Sequence, residues 1–207
     1  KWPVSPSKTR EAFAGELFRK DISVAGLVNR NLYRWTATLD GRSVAEGKGH
    51  MAEFTLDEAA TGRTLVVNAE YDGQPYPVAL DDRNLGGSRF TYTVLDAPAR
   101  IRGISFSRGG EYAIGQEFRF DAYVCGSCGD GNRRPPDRIT VDVESDNGRD
   151  LLDQVVQEPV HDTAGRLIGY RVKFWLTGKV SREGEDALIT LRADEAVERI
   201  PVVIFAE

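Results

Sequence analysis

Gly115-Gln-Glu-Phe-Arg-Phe-Asp-Ala-Tyr-Val124 repeats Gly15-Glu-Leu-Phe-Arg-Lys-Asp-Ile-Ser-Val24 at an offset of 100 residues. The match runs upstream without a gap: Ser5, Ser7, Glu11, Gly15, Phe18, Arg19, Asp21 and Val24 recur as Ser105, Ser107, Glu111, Gly115, Phe118, Arg119, Asp121 and Val124. Chance would leave about one or two identities over such a stretch, because common residues are each near 7% of usage. A repeat of this length implies two copies of one domain, so most residues are scaffold.

Working outward from the repeat, period-two alternation dominates both copies. Tyr33, Trp35, Ala37 and Leu39 share one face against Arg34, Thr36 and Thr38. Phe118, Phe120, Ala122 and Val124 do the same against Glu117, Arg119, Asp121 and Tyr123. That is the signature of half-buried strands. Asp40-Gly41 and Asp72-Gly73 sit where a type I′ hairpin needs positive φ at both central residues, and Asn147-Gly148 marks a third turn. Short helical turns are expected only around residues 56–60 and 151–156. The fold class predicted is all-β: two tandem immunoglobulin-like antiparallel β-sandwiches, residues 1–97 (with a connecting segment) and 98–207. Phe90, Tyr92 and Val94 alternate within residues 81–97, so part of that connecting segment is expected to be a strand.

The register of the repeat drifts. The turn at Asp40-Gly41-Arg42 aligns with Asn147-Gly148-Arg149 at an offset of 107, and residues 65–80 align with 189–204 at 124. The second copy should therefore carry two insertions, one in residues 125–136 and a longer one in 151–185. It should share the strand order of the first copy and carry an extra strand.

Tyr33-Arg-Trp-Thr-Ala-Thr-Leu-Asp-Gly41, then Phe54-Thr-Leu56, then Gly62-Arg-Thr-Leu-Val-Val-Asn-Ala-Glu-Tyr71 resembles bacterial immunoglobulin-like and PKD-like repeats. Such repeats occur in surface proteins and in polymorphic-toxin and type VI secretion cargo proteins. The resemblance covers most of residues 15–80 and, more faintly, 101–207. It implies an exported, periplasmic or cell-surface bacterial protein whose partner is another protein, or other domains of a longer parent chain, with a glycan as a second class. Residue 1 falls where the repeat begins, since Val4 matches Ile104, which fits a piece cut from a longer protein at a domain boundary.

Bulk numbers narrow the classes further. The 27 basic and 32 acidic residues are interleaved and sum to −5, with no block of like charge. Neither a nucleic-acid-binding tail nor a polybasic membrane anchor is expected, and no apolar run approaches the roughly 18 residues of a membrane span.

Chemistry-bearing residues are few. Cys125-Gly-Ser-Cys128 admits three readings. Redox catalysis needs a thiolate at a helix N-terminus, and Gly129-Asp-Gly-Asn132 with Arg133-Arg-Pro-Pro136 cannot begin a helix there. Zinc needs two further ligands, and the only histidines, His50 and His161, are not spaced to supply them. A disulfide pinning a loop tip, or idle thiols, completes the set. No G-x-S-x-G elbow is present, Gly86-Gly87 and Gly109-Gly110 lack a phosphate-loop frame, and Glu144-Ser-Asp-Asn-Gly-Arg-Asp150 lacks calcium-loop spacing. The carboxylate pairs Asp81-Asp82 and Glu183/Glu185-Asp186 read as solvated turns before acid–base partners.

The expectation is therefore no enzyme and no cofactor, with a non-catalytic binding or spacer module as the role. Carbohydrate or peptidoglycan binding is the first alternative, and a hydrolase with an unrecognised carboxylate pair the second. Candidate contact residues are Trp175, Arg171 and Lys173 on the charged side of one strand, with Arg133 and Arg134 in the first insertion. Trp and Arg dominate binding hot spots, and insertions on a repeated scaffold tend to carry function. The competing reading for Trp175 is packing against the first insertion or the connecting segment.

Overall fold

A computed structural model describes residues 11–75, 88–105, 111–128 and 132–206. Asp81-Asp82, Gly86-Gly87 and Gly109-Gly110 lie outside the described residues. The chain forms two compact units, Lys1–Ala97 and Pro98–Glu207.

The first unit holds β1 (Ala12–Phe13), β2 (Leu17–Asp21), β3 (Tyr33–Leu39), β4 (Arg42–Lys48), β5 (Met51–Thr55), β6 (Thr64–Tyr71), β7 (Gln74–Pro75) and β8 (Arg89–Leu95). One sheet runs β1-β8-β6-β3-β4, with β7 also on β6, and faces the pair β2-β5. β1 is parallel to β8 and the other pairs are antiparallel. The second unit holds β9 (Ala99–Arg102), β10 (Glu111–Ala113), β11 (Glu117–Val124), β12 (Ile139–Ser145), β13 (Leu152–His161), β14 (Leu167–Leu176), β15 (Glu185–Ala193) and β16 (Ala196–Phe205). Its sheets are β10-β16-β15-β12, with β10 parallel to β16, and β13-β14-β11-β9. Each unit is an immunoglobulin-like sandwich, and the chain is all-β, with short 3₁₀ turns at Arg30–Leu32 and Glu58–Ala60 among the described residues.

The alternating faces meet as the sequence predicts. Tyr33, Trp35, Ala37 and Leu39 are buried, as are Phe118, Phe120, Ala122 and Val124. Rings cross between sheets: Phe18 lies 5.1 Å from Tyr92, Trp35 5.7 Å from Phe54, and Tyr112 4.4 Å from Phe118. Each such pair adds about 0.5–1.5 kcal/mol beyond its area. Tyr33, wholly buried, donates its hydroxyl to the Leu27 carbonyl at 2.8 Å, so its polar end costs little. Asp40 and Gly41 both take positive φ (47° and 80°), as do Asp72 and Gly73 (52° and 76°), the type I′ pattern the two Asp-Gly pairs demand.

Four expectations are corrected. Residues 151–156 form no helical turn but open β13, whereas the turn expected around residues 56–60 is present as Glu58–Ala60, and Arg30–Leu32 adds a 3₁₀ turn that was not expected. The strand expected within residues 81–97 is present as β8, but it belongs to the first sandwich and is not a connector between copies: it pairs with β6 and buries Tyr92 and Val94. The β6 turn at Asp72 matches the β15 turn at Asp194 (φ 52° and 49°), an offset of 122 and not 124. A slip of two leaves every residue on its own face, so the alternation could not expose the error.

The fourth correction concerns the second insertion. Phe54 faces Phe18 on β2 as Phe174 faces Phe118 on β11. β14 is thus the counterpart of β5, and Trp175 occupies the place of Thr55 within the shared framework. The extra length went into a longer β13–β14 hairpin. The units also differ in the strand that follows β3 or β12: β4 pairs with β3, whereas β13 crosses to β14 on the other sheet. A common frame with one strand reassigned replaces the expected identical order plus one strand.

Candidate functional site

The outward face of the β13-β14-β11-β9 sheet is built by register. Trp175 on β14 stands between Gln154 on β13 and Glu117 on β11. The next outward row holds Val156, Lys173 and Arg119, and the next Glu158, Arg171, Asp121 and Arg102. Beyond them Val160 pairs with Gly169, while Tyr123 pairs with Arg100. Trp175 is half-buried among exposed Gln154 and Glu117, so part of its ring faces solvent.

Two ion pairs bridge neighbouring strands on this face. Lys173 Nζ donates to Glu158 Oε1 at 2.8 Å, and Arg171 Nε donates to Asp121 Oδ1 at 3.0 Å. Arg171 is held protonated beyond its ordinary range, first by its bond to Asp121 and then by the charges of Asp121 and Glu158. The ladder offsets the repulsion that Lys173 directly opposite Arg119 would otherwise bring.

Arg133 behaves differently. Its guanidinium lies 4.3 Å from the centre of the Tyr123 ring, and it has no carboxylate partner among the described residues. Arg134 contributes backbone: its N–H and C=O exchange hydrogen bonds with Val124 at 3.1 and 2.7 Å, tying the segment after the cysteines to the end of β11. A pocket of about 130 Å³ opens here, floored by Gly169 and flanked by Arg133, Tyr123, Val160, Arg171 and Asp121. Gly169 is required: a Cβ there would sit 2.7 Å from the Ala122 carbonyl oxygen and 3.0 Å from the Tyr123 Cβ.

Arg133 and Arg171, nominated separately from the sequence, thus line one pocket; Lys173 lies one row away and Trp175 two. Tyr123, Gly169 and Asp121 were not nominated. A glycine breaking the alternation of a strand signals close backbone approach, and that was the available clue to Gly169.

Cys125 and Cys128 are joined as a disulfide. Cys125 is not at a loop tip but fully buried at the end of β11, its N–H bonded to the Pro98 carbonyl at 3.0 Å. Arg100 Nε donates to the Cys125 carbonyl at 3.1 Å. Glu185, expected in a solvated turn, is buried: it pairs with Arg149, accepts from Asn147 Nδ2 at 3.3 Å, and is held below the ordinary glutamate range chiefly by the Arg149 hydrogen bond. The Glu144–Asp150 stretch is accordingly the clamped turn between β12 and β13. His50 is half-buried and His161 exposed. Among the described residues no three His, Cys, Asp or Glu side chains converge as a ligand set.

No protein-family model and no curated protein sequence matches the chain. Among solved structures, a titin A168–A169 tandem aligns at 10% identity and TM-score 0.29, over 95% of this chain and 93% of that one. Rst D1-D2 aligns at 9% identity and TM-score 0.34, over 95% and 94%. The architecture rests on the strand order and register given above.

Proposed function

We propose that the chain is a non-catalytic binding module of an exported bacterial protein, with its contact surface on the outward face of the β13-β14-β11-β9 sheet. The observation that carries this is the half-buried, outward Trp175 on the same face as the Arg133–Arg171 pocket. An outward Trp beside the Lys173–Glu158 and Arg171–Asp121 pairs offers a partner apolar area flanked by paired charges, the combination found at binding hot spots. The Cys125–Cys128 disulfide supports export, because such bonds persist in oxidising compartments. A protein partner is favoured over a glycan: the Tyr123 ring, the nearest outward aromatic on β11, is covered by Arg133 and offers no second open platform for a sugar.

The test is binding of the intact chain to arrays of peptides and of peptidoglycan fragments. A peptide should bind saturably, and Trp175→Ala should weaken it about thirtyfold, the equivalent of 2 kcal/mol. Binding that ignores Trp175→Ala and maps to the first unit overturns the assignment; preferential binding of a peptidoglycan fragment replaces the protein partner with a glycan.

A further inference from the structure

We infer that the pocket at Gly169 is an anchor for one acidic side chain of an extended polypeptide, its carboxylate clasped between Arg133 and Arg171. The inference rests on the reading of this face as the contact surface and names the chemistry of its partner.

Size comes first. At about 130 Å³ the pocket is well below the roughly 300–1,000 Å³ of small-molecule sites, so it suits one side chain and not a whole cofactor. Charge is next. Two guanidinia and the Asp121 carboxylate leave the lining at +1, which one carboxylate neutralises; a dianionic phosphate would be left in excess beside Asp121. Donors are already in place. Arg171 uses Nε on Asp121, which leaves its Nη donors for other acceptors, and Arg133 is half-buried with no carboxylate partner among the described residues. A guanidinium has five N–H donors in a planar fork matched to a carboxylate, and stacking on Tyr123 holds that fork in place.

The walls exclude a chain terminus. Capture of a terminal carboxylate uses nests of backbone N–H groups, whereas β11 and β14, each paired on both sides, direct theirs sideways into the ladder. What faces the ligand is side chains, and Val160 offers apolar surface to the methylenes of a glutamate.

The experiment uses the ¹⁵N-labelled intact chain at low salt with four probes: acetyl-Ala-Glu-Ala-amide, its Gln counterpart, acetyl-Ala-Ala-Ala with a free terminus, and inorganic phosphate. The Glu peptide should shift the Gly169 and Tyr123 amides and the Arg133 Nε–H saturably, and the Gln peptide should not. Arg133→Ala should weaken binding at least tenfold with the remaining spectrum unchanged, and Arg133→Lys should weaken it less. Leu188→Ala, an exposed position on β15 of the other sheet, should leave this binding within twofold. Equal binding of the Gln peptide, tighter binding of phosphate or the free terminus, or indifference to Arg133→Ala each overturns the inference. If these probes fail while Trp175→Ala still abolishes binding of an array-selected peptide, the pocket is refuted and the contact surface stands.

Discussion

Gly47 and Trp35 show how tightly single positions are set. They face each other across β3 and β4, and a Cβ on Gly47 would lie 2.4 Å from Trp35 Cζ2. Gly47→Ala should therefore destabilise the first unit by about 1–3 kcal/mol in urea unfolding, the cost of overpacking. Trp35→Phe in that background should recover part of the loss, because the clashing ring is gone. Trp35 Nε1 is buried with no acceptor among the described residues, so the same change also removes an unsatisfied donor. Strictly additive effects would show that the two side chains do not compete for this space. Glu185 sets a pH dependence. Its folded carboxyl titrates below the ordinary value of about 4.3, so its contribution is complete above that pH and is lost as the pH falls through the folded value. Wild type should exceed Glu185→Gln in stability at pH 7, and the gap should close on acidification toward pH 3. A gap independent of pH would refute the ion pair. Trp35 was legible because period two places it with Tyr33, Ala37 and Leu39. Glu185 was not, because its partner Arg149 lies 36 residues away and only the tertiary fold joins them.

At the scale of elements, identity and face were readable but partnership was not. Leu17–Asp21 and Glu117–Val124 were found by repetition, and both Asp-Gly hairpins by turn chemistry. The alternation of β13 looks the same whether it pairs with β12 or with β14, so its sheet could not be chosen from sequence. The misplacement of Trp175 in an insertion has the same origin: a gap in an alignment does not say which flanking strand grew. This changes what a deletion would do. Removing residues 151–185 would take out β13 and β14, leaving β11 paired only with β9 in that sheet, and the second unit should then fail to give a dispersed amide spectrum while the first keeps its own. A folded second unit would deny β14 its central place. The disulfide is a smaller element. It closes a loop with a sequence separation of 3, so Cys125→Ser with Cys128→Ser should cost at most about 2 kcal/mol in urea unfolding and leave the β11–β14 signals in place. Collapse of the second unit would mean the bridge holds far more than its own loop.

At the scale of the molecule, the repeat implies two cores, and each unit has one of its own. Phe18, Trp35, Phe54 and Tyr92 pack within the first, and Tyr112, Phe118, Phe120 and Phe174 within the second. We propose that the division after Ala97 separates two domains that fold independently, since β8 completes the first sandwich just before it and β9 opens the second just after. The thermodynamic consequence is specific. Domains of about 100 residues unfold with enthalpies of about 60–80 kcal/mol, so residues 1–97 and 98–207, made separately, should each melt cooperatively with a van't Hoff enthalpy in that range. The intact chain should absorb about the sum by calorimetry, while the van't Hoff enthalpy of its transitions stays near that of one unit, because two independent melts cannot sharpen each other. A single intact-chain transition whose van't Hoff enthalpy equals the full calorimetric value would make the chain one cooperative block. Failure of residues 98–207 to fold alone would place the boundary elsewhere and would require every binding test on the second unit to be carried out in the whole chain.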